Sequence, residues 1–579
     1  MSTSSPTADK DAISAKVGAR GALYQAERIL RSMRAYGGVI LFSSTFQPIM
    51  YILAMGLGLG ALIGATDDFV EYGAESYLMY IAPAILASTV AMSAGIEFTF
   101  PVMAGFRWRR EYYAAQATAI TPGQIALGHI MAASVRFLVH SVIFLAVLFI
   151  FGVLSSPLAW LQLFTAVLGA LAIGLPIMAY ISTLREEKGH AALIQRFVIM
   201  PLFLFSGTFY PLSNLPVFMH PIGWLSPIWH TNELGRVLAF GQPTSGLMIG
   251  VHLTYLVGIV VVSYVFIRRT YIRRLGYEEW GGRTPGAKRA ARKQQALETK
   301  EAAQAAWQGD APQPTVRSGL FSNMYSGNIR AVFQRGIMAI RNSTGLIFVS
   351  GFLEPVLFLA SFGLGISPML EGGVEAADGT ISYAAFIAPA LLAVAAMNGA
   401  VFDSTWNVFF KLRMTKLYRT MMATSLGPLD VAVGEILLAL FRGALYALGF
   451  LVILTGAGLV SPAAALLMWI TALFIALGFA CVGMAATSFM KRFQQMDWMM
   501  MVLIPMFLFS ATLFPISVYP AGVQAVIQAL PLWHGVELMR DIAFWEFSSL
   551  TLVHIGYYLV MILVGGTIAT YRMKALFLR

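Results

Sequence analysis

Residues 203–216 read FLFSGTFYPLSNLP, and residues 507–520 read FLFSATLFPISVYP. The offset is 507 − 203 = 304 residues. Both stretches open on FLFS, keep a threonine two places on, and carry proline at the ninth and fourteenth positions. In the first copy Pro221 and Pro227 follow. Proline at this density forbids one continuous helix. Yet 215–229 (LPVFMHPIGWLSPIW) is too apolar for a free loop. The stretch reads as the end of a membrane span, after which short helices dip back into the outer leaflet. Non-helical backbone at that depth is tolerated only under cover of protein or water.

The composition supports this reading. Of 579 residues, 58% are hydrophobic and only 12% charged, where an ordinary soluble domain carries about 25% charged residues. Apolar runs near the roughly 20 residues needed to cross a bilayer recur throughout. They do not alternate in polarity as barrel strands would: 141–154 is SVIFLAVLFIFGVL. The fold expected is all-α and polytopic, with twelve transmembrane helices. The first set covers 38–64, 78–104, 124–152, 158–184, 194–210 and 247–267. The second covers 344–366, 384–408, 430–458, 463–489, 498–514 and 549–571.

Other landmarks repeat with the spans. IAPA stands at 81–84 and 387–390, an offset of 387 − 81 = 306. Pro122 and Pro428, Gly128 and Gly434, and Arg136 and Arg442 keep that offset. Six spans per copy make the repeat parallel, unlike the inverted repeats of many secondary transporters. The expected divisions are 1–37, a cytoplasmic amphipathic segment; 38–275, the first half; 276–320, a charged cytoplasmic linker; and 321–579, the second half.

Charge gives the orientation. Arg20, Arg28, Arg31 and Arg34 precede span one, and Arg107, Arg109 and Arg110 follow span two. Arg185 and Lys188 follow span four, and Arg268, Arg269, Arg273 and Arg274 follow span six. Lys411, Arg413, Lys416 and Arg419, then Lys491 and Arg492, repeat this. The intervening loops are acidic (Asp67, Asp68, Glu71 and Glu75; Glu371, Glu375 and Asp378). By the positive-inside rule both termini are cytoplasmic. The net charge of +11 is mainly this signature, which argues against nucleic acid as a partner. Cys481 is the only cysteine, so no intrachain disulfide can form.

Catalytic motifs do not appear. No stretch fits G-x-x-x-x-G-K-[ST], HExxH or GxSxG. The chain is not expected to be an enzyme by itself, to bind a cofactor or to hold a metal.

Each half resembles a membrane subunit of an ABC-2-type exporter, nearest the daunorubicin-resistance and nodulation lipo-oligosaccharide permeases. The features that carry this are six spans, an amphipathic lead-in (20–36 and 328–342), and an inner loop ending ATAITPGQIALG (117–128) or ATSLGPLDVAVG (423–434). The proline-rich stretch and PIWHTNELGR (227–236) or PLWHGVELMR (531–540) complete it. The family usually supplies one six-span subunit per gene; here one chain supplies the pair. The resemblance implies two copies of a cytoplasmic ATPase subunit, or two different ones, carrying the ATP and Mg. It also implies an inner (plasma) membrane location and an amphipathic or lipid-like cargo. The resemblance further makes 106–122 and 409–428 coupling helices that seat on the ATPase, with Arg107, Arg109, Arg110, Tyr112, Tyr113, Lys411, Arg413, Lys416, Tyr418 and Arg419 as contacts. A plain lipid-headgroup anchor is the simpler reading of each.

Polar residues inside spans are costly. Glu97 with Arg136, and Asp403 with Arg442, lie at matching depth and are expected to pair. Gln47 and Glu354 each precede a proline (Pro48, Pro355), which makes the second half more acidic at this depth. Phe203, Phe205, Phe507 and Phe509 are either an outer constriction where the halves meet or ordinary bundle packing. Trp229 and Trp533 suit the aromatic belt of a membrane interface. His230 and His534 follow them, and Glu233/Arg236 and Glu537/Arg540 have the i,i+3 spacing of a helical pair. Two other functions fit less well. A proton-coupled carrier would need more paired midplane carboxylates, and a membrane glycosyl- or acyltransferase would need a catalytic cluster in a loop.

Overall fold

Proline placement and small residues account for much of the architecture. The computed structural model describes residues 6–34, 37–63, 69–185, 189–276, 327–341, 346–370, 373–376, 379–491 and 493–577. The linker expected over 276–320 lies outside them from residue 277 on, as do Asp67, Asp68, Lys188, Glu371, Asp378 and Arg492.

Ten helices among the described residues are long and apolar enough to cross a bilayer. In the first half they are Ser44–Ile63, Tyr77–Trp108, Pro122–Ile150, Ala159–Thr183 and Gly246–Gly276. In the second they are Gly351–Met369, Tyr383–Arg413, Pro428–Gly456, Pro462–Phe489 and Ser549–Phe577. Spans five and eleven are shorter, His190–Leu204 and Asp497–Phe509. At 1.5 Å per residue they cover roughly 20 Å, less than a hydrocarbon core of about 30 Å. The apolar pattern of the sequence alone runs them on to 210 and 514. The helices stop earlier because Gly207 and Ala511 turn left-handed, with φ 64° and 53°, and a left-handed residue ends a right-handed helix.

After each bend the chain folds back through short helices. These are His220–Trp224 and Pro227–Phe240 in the first half, and Ala521–Gln528 and Pro531–Phe544 in the second. The longer member of each pair packs against spans two and four of its own half, or eight and ten. One departure from helix is a two-stranded antiparallel pair after span seven, Val374–Ala376 with Gly379–Ile381.

Spans two and eight are central, with 78% and 72% of their apolar windows buried, whereas spans six and twelve lie outside at 17% and 22%. The lead-in helices Pro6–Met33 and Ile329–Arg341 lie along spans three and nine of their own halves. Close approach there rests on glycine. Gly128 faces the Ala22 carbonyl and Gln25, and Gly434 faces Val332, with no room for a Cβ at either.

The two halves meet along a seam. Span one of the first half lies against span eleven, and span five against span seven. Where Gly58 lies, span one is wound more widely, over Ile52–Leu59, a distortion that recurs at functional positions in helices.

Candidate functional site

The bend at the end of span five bares main-chain carbonyls inside the bundle, where none can be left without a partner. In the first half side chains serve four of them. The Tyr210 and Ser361 hydroxyls lie 2.9 and 3.0 Å from Leu204 O, and one of them donates to it while the other donates to its hydroxyl neighbour. Asn232 Nδ2 donates to Ser206 O at 3.1 Å. Arg236 Nη2 donates to Gly207 O at 2.5 Å, and the Tyr77 hydroxyl to Phe209 O at 2.9 Å. Arg236 is the central piece. Its side chain is 1% exposed, its Nη1 pairs with Glu233 at 2.7 Å, and its guanidinium lies 3.9 Å over the Tyr80 ring.

The second half repeats half of this scheme. Arg540 Nη2 donates to Ala511 O at 2.6 Å and Nη1 pairs with Glu537 at 3.0 Å. Tyr383 donates to Leu513 O at 2.9 Å. The other donors are replaced: Phe514 stands where the first half has Tyr210, and Val536 where it has Asn232. Ser88, Thr208 and Asn232 form a polar network in the first half, and the Ser206 hydroxyl donates to Ser226 beside it. Their counterparts Val394, Val536 and Leu530 are apolar, and the Ser510 and Thr512 hydroxyls are buried without a partner.

The same bend carries the seam. The Tyr210 ring fills the space where Gly365 of span seven has no side chain, and Phe514 does the same over Gly58 of span one. Neither glycine has room for a Cβ. Tyr210 also hydrogen-bonds Ser361 at 2.7 Å, Asn214 Nδ2 reaches Gly365 O at 3.1 Å, and Phe209 packs on Phe362 at 5.2 Å. Of the phenylalanines expected at the constriction, Phe203 packs on Phe209, and Phe507 and Phe509 pack on Phe358 and Tyr519 of their own half. Phe205 is buried. At the other end, Phe100 meets Trp406 at 6.0 Å and Trp108 meets Phe410 at 6.1 Å across the seam.

Polar groups inside the spans are also paired. The structure brings Arg136 to Glu97, and Arg442 to within 2.5 Å of Asp403. Glu354 has Asn398 against it, and Arg196 of the first half acts on it through charge. Gln47 is half-buried in span one. Trp229 and Trp533 lie in ring clusters. Each packs on a pair of histidines, His230 with His252 and His534 with His554, whose Nδ1 atoms are 2.7 Å apart.

Each inner loop turns at a left-handed non-glycine residue, Arg110 (φ 54°) or Lys416 (φ 53°), into a short helix, Glu111–Gln116 or Leu417–Met422. Tyr112 and Tyr418 point inward and are buried, and Tyr112 hydrogen-bonds His129 at 2.7 Å. Tyr113 is half-buried. Arg107, Arg109 and Arg110 are exposed, as are Lys416 and Arg419. Lys411 and Arg413 turn inward instead. Lys411 pairs with Glu435 at 2.6 Å, and Arg413 Nε donates to Met490 O at 3.2 Å.

Comparison with known proteins matches this chain to the ABC-2 type transporter family twice, over residues 25–240 and 327–544. The chain belongs to the ABC-2 type transporter family. Among its relatives are proteins called Nodulation protein J. That of Rhizobium leguminosarum bv. viciae is 26% identical over 251 residues, 42% of this chain and 92% of the relative. That of Rhizobium meliloti (strain 1021) is 24% identical over 234 residues, 39% and 83% of the two chains. Each alignment thus covers nearly a whole relative but about one half of this ABC-2 chain.

The bend residue itself offers a test within this transporter. A non-glycine in left-handed geometry is disfavoured by roughly 1–2 kcal/mol. Ala511→Gly should therefore raise the thermal unfolding midpoint of the detergent-solubilised chain, by about 1 kcal/mol of stability. Gly207→Ala should lower it by a similar amount, since a Cβ there meets only ordinary contacts, 3.5 Å from Trp229 and Tyr210 O.

Proposed function

We propose that this chain is the complete membrane part of an ATP-driven exporter. It moves an amphipathic or lipid-like compound, such as a drug, antibiotic or glycolipid, outward from the cytoplasm or inner leaflet. The observation that carries this is the seam: two six-span halves in one chain face each other with side chains in contact near both ends. Separate cytoplasmic ATPase subunits, holding ATP and Mg, would push on the elbow helices Glu111–Gln116 and Leu417–Met422. The buried tyrosines join those elbows to spans three and nine, so a push there reaches the seam. The membrane is the plasma membrane, with both termini cytoplasmic.

Co-purification with the ATPase and ATP-dependent uptake into inside-out vesicles test this. Replacing Arg107, Arg109 and Arg110 by Ala should cut the recovered ATPase at least fivefold, because these guanidiniums are exposed and serve no buried partner in the fold. Transport that runs on a proton gradient and ignores ATP would instead establish a proton-coupled carrier.

A further inference from the structure

The seam has two long sides, and the repeat makes each the control for the other. On one side span five of the first half lies against span seven, and on the other span eleven lies against span one. In a homodimer the two would be identical. Here Tyr210 meets Ser361 and Asn214 meets the Gly365 carbonyl on the first side. Deeper on that side, the segment Gln195–Ile199, which holds Arg196, packs on the span that holds Glu354. The mirror positions on the second side hold Phe514, Ala54, Val518, Met500 and Gln47. Among the described side chains, its contacts include ring against glycine at Phe514 and Gly58, and ring against ring at Phe42 and Trp498, 6.1 Å apart. Phe42 and Trp498 are about half exposed, whereas Tyr210 and Ser361 are fully buried.

Parting these two sides into lipid has unequal consequences. Apolar side chains leaving one another meet lipid tails that are equally apolar, so no hydrophobic force holds them. Hydroxyls and an amide leaving one another find no partner in hydrocarbon. We propose that the seam parts on one side only, between span one and span eleven, and that the alkyl chain of the cargo passes between bilayer and seam there. The span five–span seven side acts as the hinge. The cargo part of this rests on the exporter reading; the one-sided opening does not.

The sole cysteine, Cys481, can be replaced by serine to give a clean background. Spin labels then go on two pairs of exposed positions, one pair per side: Val217→Cys with Leu364→Cys, and Ala521→Cys with Ala61→Cys. Distances are measured by pulsed electron resonance on the full chain in phosphatidylcholine nanodiscs. The 521/61 distribution should be at least twofold broader than the 217/364 distribution. Making the first side a copy of the second, with Tyr210→Phe, Ser361→Ala and Asn214→Val, should broaden 217/364 to match. Equal widths, a broader 217/364 pair, or a triple variant that stays narrow would overturn the proposal. The measurement needs neither ATP nor cargo, so it stands or falls separately from the exporter reading. The link to cargo is tested in the reconstituted complex with a fluorescent dodecyl-chain lipid. Bridging Phe42→Cys to Trp498→Cys with a short bis-maleimide should stop its ATP-driven movement, and bridging the exposed pair Val217→Cys and Leu364→Cys with a bis-maleimide long enough to span them should leave at least half. The reverse pattern refutes entry by that side.

Discussion

Arg236→Ala should leave almost no folded protein. The substitution strips the Gly207 carbonyl of its donor and leaves the Glu233 carboxylate without its cation, both in a region largely sealed from water. Removing one partner of a buried pair typically costs about 3–5 kcal/mol, a large share of the stability of any single domain. Fluorescence-detected size-exclusion of membrane extracts should show monodisperse material reduced at least tenfold. Arg236→Lys should recover little, because a single ammonium cannot serve Glu233 and the Gly207 and Tyr80 carbonyls together as the guanidinium fork does. Arg540→Ala should be milder. Its side chain is 10% exposed and Glu537 27%, so water relieves part of the loss. Equal damage from the two variants would contradict the inequality of the two bends.

Gly58→Leu should abolish transport while leaving each half folded. Phe514 occupies the place of the missing side chain, so a leucine there pushes span eleven off span one. Overpacking of this kind costs about 1–3 kcal/mol, too little to unfold a half but enough to spoil the seam. ATP-driven export in vesicles should fall at least tenfold. The second change Phe514→Ala should restore a substantial part by making room. Failure of that rescue, with the double variant well folded, would show that Gly58 matters through its helix and not through the seam.

Much of the fold was legible because lipid enforces it. Runs of apolar residues, proline and basic loops mark spans directly, and the offsets of 304 and 306 expose the repeat. The Glu233/Arg236 pairing follows from helical spacing alone. What that spacing does not show is that Arg236 reaches back 29 positions to the Gly207 carbonyl, a contact set by how the re-entrant helix lies on span two. The same holds for Tyr77 and Phe209 O, 132 positions apart. One signal was present in the letters: Tyr77 and Tyr383 keep the offset of 306, and the two bends they serve keep that of 304. The basic elbow shows the opposite limit. Lys411 and Lys416 are the same residue in the same basic loop, yet Lys416 is exposed and Lys411 turns inward. Lys411 does so because Glu435 stands where the first half has His129. A run of cations cannot reveal which of them has a buried acid waiting.

Joining both halves in one polypeptide also changes what mutation can do. In a symmetric dimer the interface is isologous, so any substitution arises on both faces at once and must suit both. Here Arg196 is present once, opposite one Glu354, and neither has to meet its own image. Selection can therefore adjust a single face of the seam, and a laboratory library can do the same, at positions where a symmetric dimer admits only paired changes.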